Sequence, residues 1–209
     1  MSATIQQFQL NNPVSYETFF NITREQAEQG RTSGASQDTL LIESTRLNAQ
    51  RMKRIDKQFE ITPEVQEVLT GIDRAQKWIV ITETWCGDSA QILPFIGKMA
   101  AASARIELQI ILRDENLDFM DQHLSNGRSR SIPKLVSFDA ASGEELASWG
   151  PRPKLIQDQI DVFMKANPDA SHEELVKEVH TWYAQDKGQA IISELKDFIL
   201  KTGRTAIPA

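Results

Sequence analysis

One side chain in this 209-residue chain can act as a sulfur nucleophile: Cys86, its single cysteine. It stands in Thr84-Trp85-Cys86-Gly87-Asp88-Ser89, directly after the apolar run Trp78–Thr84 and before a helical pattern that begins at Asp88. A helix N-terminus carries unpaired N–H groups and partial positive charge, and both favour a thiolate. Gly87 lets the backbone turn closely, and Ser89, one helical turn on, brings a hydroxyl toward the sulfur. Asp88 acts in the opposite sense, because a neighbouring carboxylate raises a thiol pKa. Spacing alone leaves the balance between these effects open. With one cysteine no intramolecular disulfide can form, so any thiol chemistry needs a partner from outside the chain.

The other reactive residues form weaker constellations. His172 and His180 are eight positions apart, about 12 Å along a helix, too far to share a metal by themselves. His123 is remote from both in sequence. No metal or other cofactor is expected, and no Gly-rich phosphate loop or Ser-His-Asp spacing is present.

The elements that must position Cys86 fall into three regions. Residues 1–75 read as a helical extension packing on the core. It has a short helix through Phe19, Phe20 and Ile22 that ends near Gly30, and a long one from Asp38 to Phe59. A third starts at the Thr62 N-cap with Pro63 behind it and ends at Gly71. Residues 76–166 alternate: strands at Trp78–Thr84, Ile106–Leu112, Leu135–Phe138 and Glu144–Trp149, and helices at Asp88–Ala102, Asn116–Leu124 and Lys154–Ala166. The order β-α-β-α-β-β-α predicts parallel pairing where helices cross over. It predicts an antiparallel pair across the Asp139–Gly143 turn. Residues 167–209 are a second helical extension. Ser171 and Glu174 mark a capping box there, and Gly188 bends or divides the segment.

The core region resembles the thioredoxin fold and family. Trp85-Cys86-Gly87 matches the family's active-site opening after the first core strand, and Pro94 sits where thioredoxins kink the following helix. Ser131-Ile132-Pro133 before the third strand matches the loop whose proline is cis, and Gly143 and Trp149-Gly150 also fit. A closer likeness is to bacterial thioredoxin-like proteins with a Trp-Cys-Gly-Asp motif. The resemblance implies an α/β fold, a central mixed sheet flanked by helices, with additional N-terminal and C-terminal helices. It also implies a substrate platform at Trp85, Gly87, Asp88, Ile132 and Pro133. Arg128 and Arg130 precede that platform, and either face the pocket and receive an anionic group or form a solvated basic loop.

Two departures bear on activity. Thioredoxins place a second cysteine where Ser89 stands, and a hydroxyl cannot displace sulfur from a mixed disulfide, so the ordinary dithiol cycle is closed. They also bury an acid six residues before the nucleophile, where Val80 stands here; Glu83 is close in sequence but not in that place. Two functions follow. In one, Cys86, aided by Ser89, exchanges with a protein or low-molecular-weight thiol or disulfide through mixed disulfides. In the other, the chain is a non-enzymatic binding or adaptor module. A sulfenate-forming peroxide sensor is a third.

The rest of the composition narrows the setting. Lys and Arg number 23 against 29 Asp and Glu, a net charge of −6, spread evenly with no basic patch, so nucleic-acid binding is not expected. The N-terminus is polar and no apolar run approaches the roughly 20 residues a membrane helix needs, so a cytoplasmic protein without membrane contact is expected.

Overall fold

The computed structural model describes residues 4–204. A 3-10 turn at Ile5–Gln7 leads into three helices, α1 (Tyr16–Gln29), α2 (Thr39–Gln58) and α3 (Pro63–Thr70). Each begins where a side-chain oxygen can accept an otherwise unpaired N–H: Ser15 from Thr18, Asp38 from Leu40, Thr62 from Val65. Then follow β1 (Gln76–Thr82), α4 (Gly87–Ala101), β2 (Ile106–Leu112), a 3-10 turn at Arg113–Glu115, α5 (Leu117–Asp121), β3 (Lys134–Asp139) and β4 (Glu145–Trp149). Three helices close the chain: α6 (Lys154–Ala166), α7 (His172–Asp186) and α8 (Gln189–Thr202). The Ser171–Glu174 capping box opens α7, and Gly188, at φ 83°, separates α7 from α8. A Cβ on Gly188 would run into the Phe95 ring, so the α7–α8 turn can seat only because that side chain is missing.

The first strand runs two residues earlier than its apolar run suggests. Gln76 can open a buried strand because its Oε1 accepts from Trp78 Nε1 at 2.9 Å and from Ser137 Oγ at 2.6 Å. At the other end Thr84 leaves the strand. Its N–H donates to Ser33 Oγ and its carbonyl accepts from Asn48 Nδ2, both at 2.9 Å. The helix expected over Asn116–Leu124 is only the five residues of α5, since Asn116 Nδ2 is taken up by the carbonyls of Leu112 and Asn11.

The sheet order is β2-β1-β3-β4. β1 and β2 are parallel, with Trp78 opposite Leu108, while β3 is antiparallel to β1, with Val80 opposite Leu135. This corrects the parallel pairing expected for a helix-linked strand. The chain leaves β2 and re-enters the sheet at the same end, with Lys134 and Ile111 both opposite Ile81, so the segment carrying α5 makes no crossover. β3 and β4 pair antiparallel, as expected, with a bulge at Ser137/Phe138.

Side chains of β1 alternate between two cores, as a period of two requires. Trp78 and Val80 face a large core with Ile92, Ile96, Leu195 and Phe198. Ile79 and Ile81 face a smaller one with Ile111, Phe119, Val136, Phe138 and Cys86. The second face is covered partly by the chain's start. Ile5, Phe8 and Leu10 pack on it, and Phe8 meets Phe119 edge-on with centroids 4.8 Å apart, whereas Val14, which bridges Ile110, packs on the first core. In the layer over the first face α2 packs on α1 and α4, α3 on α8, and α7 on α6. Among the described residues no helix is long and apolar enough to cross a membrane.

Candidate functional site

The turn from β1 into α4 makes Cys86 the N-cap of α4, with its carbonyl accepting from Ala90 N–H at 3.2 Å. The thiol is 7 % exposed and donates to the Ile132 carbonyl at 3.3 Å. The Ile132–Pro133 peptide is cis. The Ser89 hydroxyl and the backbone N–H groups of Ser89 and Asp88 pull its pKa down. Burial and the Asp88 charge nonetheless prevail and push it up to about 11. The balance left open by spacing is thus resolved against the thiolate. A helix terminus stabilises an anion only as far as the site lets the anion be solvated or paired, and here the nearest fixed charge is negative.

Ser89 is buried, and its Oγ accepts from Thr82 Oγ1 at 2.7 Å. Asp88 is tied from two directions: its Oδ1 accepts from Tyr183 Oη at 2.7 Å, and its Oδ2 accepts from Arg152 Nη2 at 2.5 Å. Burial, and then the Asp88 carboxylate beside it, hold the Tyr183 phenol well above the usual range and so protonated. Gly87 is covered by α7, since a Cβ there would lie 2.8 Å from His180 Nε2. His180 pairs through Nδ1 with Gln91 Nε2 at 3.1 Å, with the amide donating to a neutral ring. Burial, and then the positive charge of Arg51, lower its pKa to about 4.

Val80 is fully buried in β1, so the position six residues before the sulfur holds no acid. Glu83 is buried too, but its carboxylate is committed elsewhere, accepting from Ser33 Oγ and from the Asp114 N–H. Only its carbonyl serves Cys86, accepting the cysteine N–H at 3.1 Å. Burial raises the Glu83 pKa despite those two donors.

Cys86 lies on the floor of a cleft of about 520 Å³. Trp85 and Ile132 flank the sulfur, α2 supplies Leu47 and Arg51, and α7 supplies Val176 and His180. The two arginines before Pro133 are separated by the fold. Arg130 lines the cleft but is forked onto Asp121 at 2.6 and 2.7 Å, whereas Arg128 is exposed outside it. The cation beside the sulfur's neighbour Asp88 is instead Arg152, and Arg113 lies 5.0 Å over the Trp85 ring. A larger cavity of about 730 Å³, between the end of α2 and the α7–α8 turn, includes Tyr183 and Gln91 in its wall but not Cys86. Among the described residues no group of three His, Cys, Asp or Glu side chains could hold a metal ion.

Sequence reasoning missed Arg152, Tyr183, His180 and Arg51 as members of the site. Arg152 carried only the weak signal of its place between two prolines, and Tyr183 read as one more member of an apolar stripe. Their partners lie 64 and 95 positions away, beyond any local pattern.

A mixed four-strand sheet between helices, with a Trp-Cys-Gly turn facing the Ile-Pro loop, defines a thioredoxin-like protein. Residues 34–167, well over half of the chain, match the thioredoxin family, and the chain belongs to it. That match takes in α2 and α3 as well as the sheet. Among solved structures, a protein of unknown function from Pseudomonas aeruginosa is 19% identical over 90% of this chain and 98% of its own, with a TM-score of 0.56. An HIV epitope scaffold is 18% identical over 90% of this chain and 98% of its own, with a TM-score of 0.53. At such identities the likeness speaks for the fold. No curated protein matches the sequence.

Proposed function

We propose that this thioredoxin-family protein is a non-enzymatic binding module, in which the former redox face receives a partner and Cys86 stays a protonated thiol. One observation carries this reading: the Cys86 thiol is buried, donates to the Ile132 carbonyl, and sits beside an Asp88 carboxylate fixed by Arg152 and Tyr183. A thiol so placed is a poor nucleophile near neutral pH. Ser89 in the resolving position and Val80 in place of the buried acid agree with it. The single cysteine suits a reducing compartment such as the cytoplasm. The test is capture of partners by wild type and Cys86→Ser under matched reducing and non-reducing conditions. Equal recovery of the same partners is expected, and a partner held only by wild type, and only without reductant, would overturn the reading.

A second reading, monothiol exchange, draws on Cys86 lining the cleft and on the polar groups of Ser89 and Asp88 that lower its pKa against burial. In that case the Cys86 thiolate would attack a disulfide, form a new S–S bond and expel one thiolate. An external thiol, protein or low-molecular-weight, would then release Cys86, because Ser89 cannot. Rapid alkylation of Cys86 at pH 7 would favour it.

A further inference from the structure

We propose that the Cys86 cleft receives an acidic peptide segment carrying apolar side chains, and that Arg51 selects it; this rests on the binding-module reading. The chain as a whole carries a net charge of −6, yet its charged cleft lining consists of four arginines, Arg51, Arg113, Arg130 and Arg152, and one carboxylate, Asp88. Three of those guanidiniums already have an acid: Arg113 has Asp114, Arg130 has Asp121 and Arg152 has Asp88. Arg51 has none. Among the described residues its one side-chain bond is from Nη1 to Asn48 Oδ1 at 2.9 Å, so its charge remains uncompensated at the cleft wall. The two histidines in the lining add no negative charge.

The apolar part of the occupant follows from the same walls. Leu47 on α2 is 50 % exposed and Val176 on α7 is 38 % exposed, and both border the cleft. Large apolar side chains left open on both sides of a cationic trough fit a chain that alternates apolar and acidic residues. A guanidinium without a carboxylate in a half-enclosed site gains most from a partner that supplies one. A small inorganic anion would use Arg51 and leave both apolar walls uncovered, so a peptide is the better match.

The experiment is selection of random dodecapeptides displayed on phage against the full-length protein. Recovered peptides are then resynthesised with a fluorophore for anisotropy measurements. Enrichment in Asp and Glu beside apolar residues is expected. Their affinity should fall about tenfold for Arg51→Glu, stay within about threefold for Arg51→Lys, and weaken in about 0.5 M salt. Bound peptide should also slow alkylation of Cys86. Replacing Glu by Gln in the peptide tests the same contact on wild-type protein, whatever the variant's folding. Peptides with no acidic bias, or acidic ones that bind Arg51→Glu equally well, would overturn the inference and leave the binding-module reading standing. Failure to recover any peptide that shields Cys86 would overturn both. Protection of Cys86 by citrate, with none from peptides, would assign the cleft to a small anion and overturn the proposal.

Discussion

The hydroxyl of Tyr183 donates to the Asp88 carboxylate at 2.7 Å, joining helix α7 to the first turn of the helix that Cys86 caps. Arg152 holds the other carboxylate oxygen, so a residue from after the sheet and one from α7 together set the charge beside the sulfur. Tyr183→Phe should cost about 1–3 kcal/mol, the usual loss for a buried bond to a charged acceptor. Urea unfolding would show this as a lower midpoint at unchanged slope.

Cys86 alkylation should be slow at pH 7, where a thiol with a pKa of about 11 is thiolate in about one molecule in 10⁴. The rate should climb tenfold per pH unit up to about pH 10 without levelling off. Asp88→Asn removes the negative charge and leaves Arg152 facing the sulfur, so its profile should shift to lower pH by about one unit. A plateau below pH 8 in the wild type would contradict the buried, protonated thiol.

Acid should loosen the α7 contact through His180. Its folded pKa of about 4 lies below the unfolded value near 6.5. Between these two values the unfolded chain binds the extra proton, so stability declines as pH drops from about 6.5 toward 4. The contribution at stake is up to about 3 kcal/mol. His180→Gln keeps an acceptor for Gln91 and should flatten that part of the pH–stability curve. A slope equal to that of the wild type would reassign the effect to another group.

Ser33→Ala should destabilise the protein by about 2 kcal/mol at pH 7, because the buried Glu83 carboxylate loses one of its two donors. The deficit should shrink in acid as Glu83 takes up a proton, a trend visible by comparing wild-type and variant melting temperatures across pH.

Ser89→Cys rebuilds a Cys-x-x-Cys pair. Insulin reduction should stay near background even so, since Val80 supplies no proton relay and the Cys86 pKa remains high. Turnover approaching that of an ordinary dithiol reductase would favour the exchange reading.

Much of the architecture was legible because its causes are local. Thr62 before Pro63, Ser171 three residues from Glu174, and Asp38 ahead of the long helix are caps whose hydrogen bonds close within four residues. The strand edges were less so. Gln76 is admitted to β1 by Ser137, 61 positions on, and Thr84 is drawn out of it by Ser33, 51 positions back. The role of residues 5–10 as a cover for the second core was invisible too, since three apolar side chains in a polar segment acquire meaning only against Phe119 and its neighbours.

By itself the sequence determined the thioredoxin-like order of elements, the place of the one cysteine at a helix start, and the absence of a resolving sulfur from position 89. Each depends on residue type and short spacing. Tertiary structure decided the antiparallel return of β3 and the company the sulfur keeps: Asp88 held by Arg152 and Tyr183, Gly87 roofed by His180, and Arg51 left without an acid on the cleft wall. Burial and through-space charge set a thiol's pKa, and both are properties of elements brought together from distant parts of the chain.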